Sequence, residues 1–172
     1  MKKKPLKRIA GQMSSGVTLL EMLIVIAILA IVAGIAYPSF QRLAINNYLK
    51  TATRDIASDF AQLKERSLSG DAALGGSRMH RLAINMGANT YQLQQCNNAG
   101  APCGGWTTIQ VKNLADYSPG VFFDAGTTIL NYDFQPRGTV NLGTIALRNG
   151  LGSTAEIRIN ITGKSRVLFN LQ

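Results

Sequence analysis

Hydrophobic residues fill nearly every position from residue 17 to residue 36, where only Thr18, Glu21 and Gly34 interrupt the run. At about 1.5 Å per residue, a run of this length forms a helix of about 30 Å, which matches the hydrocarbon core of a bilayer. The segment before the run holds five cations and no acid. The positive-inside rule therefore predicts a single membrane pass that leaves residues 37–172 outside the cytoplasm, which in a bacterial chain is the periplasm.

An amphipathic pattern follows the apolar run. Its apolar residues recur mainly at steps of three and four, and charged residues occupy other positions of the same segment. We therefore predict one long helix from about residue 17 to residue 68, whose second half lies against a sheet. Pro38 cannot donate a hydrogen bond to the carbonyl of Gly34, so we expect a kink or local melting over residues 34–38. The apolar face comprises Phe40, Leu43, Leu49, Ala52, Ile56, Phe60 and Leu63.

Beyond the helix, apolar and polar residues alternate, and glycine, threonine and asparagine become frequent. Eight short segments of this kind predict strands of an antiparallel sheet. In the seventh, the isoleucines at positions 157, 159 and 161 alternate with polar residues, so one face of that strand is expected to be buried. The predicted class is α+β, with one domain after the membrane segment. The predicted strands are residues 81–86, 90–96, 106–112, 121–124, 129–134, 144–148, 155–161 and 166–170.

A small residue, Gly16, stands before the apolar run, whereas an ordinary secretory signal is cut after its apolar core. One interpretation is a simple membrane anchor, in which Gly16 has no role. Glu21 then lies only about 6 Å along the helix from Val17, at a shallow position in the membrane. The other is a resemblance to type IV prepilins, which are cut after this glycine and keep the apolar helix. Glu21 would then be the fifth residue and Pro38 the 22nd of the mature chain, as is common in that family, whereas Val17 replaces its usual phenylalanine or methionine.

The prepilin resemblance implies three parts: a leader peptide at residues 1–16, a transmembrane and assembly half of the helix at 17–37, and a periplasmic pilin domain at 38–172. Prepilin peptidase would cut between Gly16 and Val17, and Val17 would be N-methylated. In the family, the acid corresponding to Glu21 pairs with the N-terminal amine of a neighbouring subunit, and Pro38 bends the helix. The implied fold is the type IV pilin fold, with the helix packed on an antiparallel sheet.

The resemblance also implies the partners and the location. The partners would be other major and minor pilins, prepilin peptidase and the inner-membrane assembly platform. The chain would lie in the inner membrane and enter a pilus at low abundance.

The C-terminal part resembles the GspH/FimT group, which contains minor pilins of type IV pili and H-type pseudopilins of type II secretion systems. The resemblance rests on the Phe-x-Pro-x-Gly element at residues 134–138, followed by the segments 144–148 and 155–167, which contain two strands and a glycine-basic turn. The group implies an assembly role, and a FimT-type minor pilin is favoured over a structural H-type pseudopilin because of the charge pattern.

Charge concentrates at the C-terminal end once the leader is set aside. The net charge of +9 falls to +4 without the five leader cations, and residues 134–172 alone carry a local net of +4. The turn at 162–166 resembles the Gly-Arg-x-Arg element of DNA-uptake minor pilins, with lysine for the first arginine. Lys164 and Arg166 are therefore candidates for contact with double-stranded DNA in natural transformation, through sequence-independent and salt-dependent phosphate contacts. Possible supporting cations are Arg137, Arg148 and Arg158. The alternative is a structural turn with solvated charges.

The remaining chemistry is sparse. Cys96 and Cys103 enclose a short loop between two predicted strands, which in an oxidising periplasm favours a disulfide over two free thiols. The only histidine, His80, is not at ligand spacing from these cysteines, so we predict no metal site and no cofactor. We find no catalytic set. No residue adjacent to His80 in the sequence could act with it as a catalytic partner, and the candidate acids lie at turn or solvent-facing positions. Those acids are Asp124, Asp133 and Glu156, and the chain is not expected to be an enzyme.

Overall fold

The computed structural model describes residues 18–69, 78–98, 102–117 and 120–172. It divides into two compact units, with the boundary between Ser39 and Phe40, and each unit is described by itself. The predicted cleavage position between Gly16 and Val17 lies outside the described residues.

One helix, α1, spans Leu19–Ser69, in agreement with the predicted helix over residues 17–68. The helix is continuous through Pro38, so the alternative of local melting over residues 34–38 is wrong. Pro38 removes one hydrogen bond from a helix of 51 residues, and the hydrogen-bonded turns on both sides preserve the helical conformation.

The second unit contains the amphipathic part of α1. Its apolar face is fully buried at the five positions from Leu49 to Leu63, whereas Phe40 and Leu43 are 67% and 55% exposed. The prediction was therefore wrong for these two residues. A helical period indicates which face is apolar, but it does not indicate where along the helix the sheet begins. The five buried residues are Leu49, Ala52, Ile56, Phe60 and Leu63.

All eight predicted strands are present, with ends shifted by no more than two residues. They form two antiparallel four-stranded sheets, of order β3-β2-β1-β5 and β4-β6-β7-β8, rather than the expected single sheet. Alternation identifies a strand but not its partner, and β5 pairs with β1 instead of its sequence neighbours. The strands are β1 His80–Asn85, β2 Thr90–Cys96, β3 Trp106–Asn113, β4 Val121–Phe123, β5 Asn131–Phe134, β6 Gly143–Asn149, β7 Thr154–Ile159 and β8 Ser165–Asn170.

A single apolar core joins α1 to both sheets. At its centre, the ring of Phe60 lies 4.6 Å from that of Phe134 and 5.9 Å from that of Tyr132, both in edge-to-face geometry. Strand β7 buries Ile157 and Ile159 as predicted. Ile161 is 64% exposed, contrary to the prediction, because β7 ends at Ile159 and the chain then turns.

A charged cluster connects α1 to the first sheet. The carboxylate of Asp59 accepts hydrogen bonds from the Lys112 ammonium at 2.7 and 2.9 Å and from the Tyr91 hydroxyl at 2.7 Å. Tyr91 is fully buried and Asp59 is 8% exposed. Burial, together with the hydrogen bond to Asp59, raises the pKa of Tyr91 because both favour the neutral phenol. Burial likewise raises the pKa of the neighbouring Tyr117 to about 12.

A second polar cluster connects α1 to the turn between β6 and β7 and to Gln172. The side-chain oxygen of Asn46 accepts hydrogen bonds from Asn149 Nδ2 at 2.8 Å and from the Ser153 hydroxyl at 2.9 Å. The amide nitrogen of Asn46 donates to the backbone oxygen of Gln172 at 3.1 Å, and the Gln172 N–H donates to Ser153 Oγ at 2.9 Å. The segment that follows β8 is thereby held against the helix.

Candidate functional site

The turn between β7 and β8 carries the two candidate DNA-contacting cations, and Asn160 organises it. The carbonyl of Asn160 accepts a hydrogen bond from the Gly163 N–H at 2.9 Å, and its N–H donates to the Lys164 carbonyl at 3.1 Å. Its side-chain oxygen accepts from the Lys164 N–H and the Thr162 hydroxyl, both at 2.8 Å. Asparagine is well suited to this position because its side chain replaces a backbone acceptor.

Gly163 is required by both conformation and space. Its φ is +67°, as the sequence predicted, and a Cβ at this position would lie 3.0 Å from Lys64 Cδ and 3.3 Å from the Gly138 carbonyl oxygen. Any side chain here would be strained and would displace its neighbours. The tip of the last hairpin is therefore in direct contact with α1 and with the turn that follows β5.

The Phe-x-Pro-x-Gly element forms that second turn. Phe134 lies in the core, the Gln135 N–H donates to the Thr139 carbonyl at 2.9 Å, and the Gly138 N–H donates to the Gln135 carbonyl at 2.8 Å. Gly138 has a φ of +77°, and a Cβ there would lie 2.8 Å from Leu68 Cδ2. The exposed Arg137 thus stands at the corner of a turn that is packed on the end of α1.

The structure brings three of the predicted cations together. Arg158 and Arg166 are cross-strand partners on the solvent face of the second sheet, and Lys164 lies in the turn two residues before Arg166. Opposed like charges destabilise a strand pair. Glu156 offsets this repulsion by accepting a hydrogen bond from Arg158 at 2.9 Å.

The other two predicted cations lie elsewhere. Arg137 is on the adjacent turn, whereas Arg148 is opposite Thr154, four residues or about 13 Å along the sheet from the Arg158 position. Arg148 also pairs with Asp124 at 3.4 Å. Of the five predicted cations, Lys164, Arg166 and Arg137 form no ion pair with any described residue, so these three remain available to a ligand.

Sequence reasoning missed two residues of this region. Asn160 could have been identified by its position three residues before a glycine, which is typical of a turn. Lys64 gave no signal, because a lysine on an amphipathic helix is ordinarily a solvated residue, and only the folded chain brings its side chain onto Gly163.

The N-terminal unit contains the predicted assembly residues Glu21 and Pro38. Thr18 Oγ1 accepts a hydrogen bond from the Glu21 N–H at 3.2 Å, so Thr18 caps α1 and Glu21 occupies the first turn. The Glu21 side chain forms no ion pair with any residue that the structure describes. The apolar segment is long and hydrophobic enough to cross a membrane, and no part of it is buried in the protein.

The remaining candidates have structural partners. Cys96 and Cys103 form the predicted disulfide, with a Cα–Cα distance of 5.7 Å. His80 is a buried strand residue whose Nδ1 lies 3.1 Å from the Ser67 hydroxyl. Each acid considered for catalysis pairs with an arginine: Asp133 with Arg81, Asp124 with Arg148, and Glu156 with Arg158. No set of three potential metal ligands occurs in the part of the chain that the structure describes.

Comparison with known proteins gives two findings. Residues 12–37 match the prokaryotic N-terminal methylation motif. The fold is similar to that of the minor pseudopilin EpsH from the type 2 secretion system of Vibrio cholerae, with a TM-score of 0.53 and 14% identity over 70% of this chain and 96% of EpsH. No curated sequence matches the chain. The motif and the apolar helix together support membrane anchoring. The methylation motif supports the resemblance of the N-terminal segment to prepilins, and the likeness to EpsH confirms the predicted fold class, a long N-terminal helix followed by antiparallel strands.

Proposed function

We propose that this chain is a minor pilin of a type IV pilus. It is cut between Gly16 and Val17, is methylated on Val17, and is held in the inner membrane with residues 38–172 in the periplasm. It enters the pilus at low abundance through α1, in contact with other major and minor pilins. The observation that carries this proposal is a methylation motif at residues 12–37 that contains an apolar helical segment, and this segment is not buried by any described part of the chain. Such a helix requires lipid or the helices of other subunits around it.

The second candidate is an H-type pseudopilin of a type II secretion system with a structural role, which the similarity in fold to EpsH favours. A deletion strain separates the two. We expect loss of piliation and natural transformation with normal protein secretion, measured side by side and restored by the gene in trans. Loss of secretion with normal pili would overturn the pilus proposal in favour of the pseudopilin.

The proposed minor pilin also binds double-stranded DNA without sequence preference, through Lys164 and Arg166. Both side chains are exposed, and neither is engaged by an acid within the described part of the chain. Arg158 stands opposite Arg166, but its charge is offset by the ion pair with Glu156, so Lys164 and Arg166 supply the unpaired charge of this hairpin. Phosphate oxygens accept hydrogen bonds from lysine and arginine alike, so contact with the DNA backbone does not require the arginine that Lys164 replaces.

Replacement of both cations tests DNA binding. In Lys164→Ala/Arg166→Ala, we expect weaker binding and a plot of log affinity against log salt that is shallower by about 2, because two phosphate contacts are lost. Mobility shifts of duplex DNA at several salt concentrations, with the full chain in detergent, provide the measurement. The matched control, Lys50→Ala/Arg54→Ala, removes one lysine and one arginine from α1. Equal effects of the two double variants would contradict a DNA site at the hairpin.

A further inference from the structure

We propose that Lys64 of α1 is a third phosphate-contacting cation at the hairpin tip, so that the helix and the hairpin hold one polyanion together. This inference rests on the proposed DNA binding and extends it to an element outside the C-terminal hairpin. The lysine lies about 100 residues before Lys164 in the sequence.

The contact between Lys64 and Gly163 fixes the path of the lysine side chain. A Cβ built on Gly163 would lie 3.0 Å from Lys64 Cδ and 3.3 Å from Lys64 Cε, so the aliphatic stem runs directly over the glycine. The ammonium is one bond beyond Cε and therefore leaves this contact at the turn itself. Because Gly163 immediately precedes Lys164, two lysines from distant parts of the sequence emerge at the same tip.

The environment of Lys64 leaves its charge available. The side chain is partly buried through its stem, and its ammonium pairs with no acid among the described residues. A lysine held along its stem loses less conformational entropy on binding than a freely rotating one. Lys64 is thus better prepared for a phosphate contact than a fully solvated lysine on the same helix.

A third element approaches the same point. The Gly138 carbonyl oxygen lies 3.3 Å from the Cβ position of Gly163, and Arg137 is the residue before Gly138. Three elements that carry cations, namely α1, the turn after β5 and the last hairpin, therefore meet at one small contact. Cations on three separate elements suit a ligand with repeated charges, and the double-helix backbone carries a phosphate about every 1.7 Å along its axis.

Charge-removing and charge-keeping variants at position 64 test the inference. Lys64→Gln keeps most of the stem, and we expect its salt-dependence slope to be shallower by about 1 than that of the wild type. This corresponds to a change of about 3.5-fold in the affinity ratio between 50 and 200 mM salt. Lys64→Arg is expected to retain the wild-type slope. The matched control is Lys50→Gln, which removes the same charge about 21 Å away on the same helix.

The assay uses the full chain in detergent with duplex DNA of random sequence, and thermal unfolding establishes that each variant is folded. The basic N-terminal residues are common to all variants, so only differences in slope are interpreted. Lys64→Gln and Lys50→Gln could have the same salt-dependence slope while Lys164→Ala/Arg166→Ala has a shallower one. The proposed role of Lys64 would then be wrong, and the hairpin site would stand. If the salt-dependence slope of Lys64→Arg is as shallow as that of Lys64→Gln, Lys64 acts through packing rather than charge. If the hairpin variant also matches its control, the DNA proposal itself fails.

Discussion

A Glu21→Ala variant is expected to be cut after Gly16 as efficiently as the wild type and yet to be absent from sheared pili. A carboxylate in the middle of a membrane helix costs about 2.5–3.5 kcal/mol, and less near the interface, so even an acid in the first turn of this segment is better tolerated with a compensating partner. Within the described part of the chain Glu21 has no ion-pair partner. In the proposed pilus, the partner is the amine that cleavage creates at Val17 of a neighbouring subunit.

The structure suggests a second role for Glu21 that was not predicted from the sequence, namely stabilisation of the first turn of α1. The Glu21 N–H is hydrogen-bonded to Thr18 Oγ1, and an acid in the first turn favours a helix by its interaction with the helix dipole. The cap and the charge effect together are worth about 1 kcal/mol, and their loss would only loosen the first turn of α1. Pairing between subunits, in contrast, depends on the charge itself.

Two further variants separate pairing from capping. Glu21→Gln keeps the size of the side chain and removes the charge, so we expect it to be excluded from pili like the alanine variant. Thr18→Ala removes the cap and keeps the acid, so we expect it to be incorporated. Immunoblots of sheared pili and of membranes measure incorporation and cleavage in the same cells. Normal incorporation of Glu21→Gln would contradict charge pairing.

The sequence predicted the elements of this fold more completely than their arrangement. Helical and strand periods are local properties, so α1 and all eight strands were identified from sequence. The division into two sheets depends on which strands pair, and strand pairing is decided by the shared core. Phe60 of α1, for example, packs against Phe134 and Tyr132 of β5, while β5 pairs with β1. No local pattern encodes that choice.

For the candidate site as well, local features were predicted from the sequence and long-range contacts were not. The glycine of the last turn and the cations beside it were predicted, because a turn is specified by a few adjacent residues. The contact of Lys64 with Gly163 joins residues 99 positions apart and was not predicted. The ion pairs of Arg148 and Arg158 were also not predicted from the sequence. They reduce the number of cations that are available to DNA.

An Asp59→Ala variant is expected to cause the largest loss of stability of any single substitution considered for the second unit. The change leaves the Tyr91 hydroxyl buried without its acceptor and the Lys112 ammonium, whose side chain is 26% exposed, without its partner. Removal of one member of a fully buried ion pair costs about 3–5 kcal/mol. For this partly buried pair we expect the lower end of that range, which is still a large part of the roughly 5–15 kcal/mol that stabilises a typical domain. For a domain of this size, the melting temperature would fall by about 10–20 °C.

Thermal and urea unfolding of residues 40–172 measure this effect, with Glu65→Ala as the matched control. Glu65 is an exposed acid on the same helix, and its removal is expected to change stability by no more than about 0.5 kcal/mol. The double variant Asp59→Ala/Lys112→Met should recover part of the loss, because the lysine is then no longer left as an unpaired charge. A loss below about 1 kcal/mol in Asp59→Ala would mean that the apolar core alone holds α1 to the first sheet. The cost of the single variant and the recovery in the double variant follow from one cause, since a partly buried charge is tolerated only together with its partner.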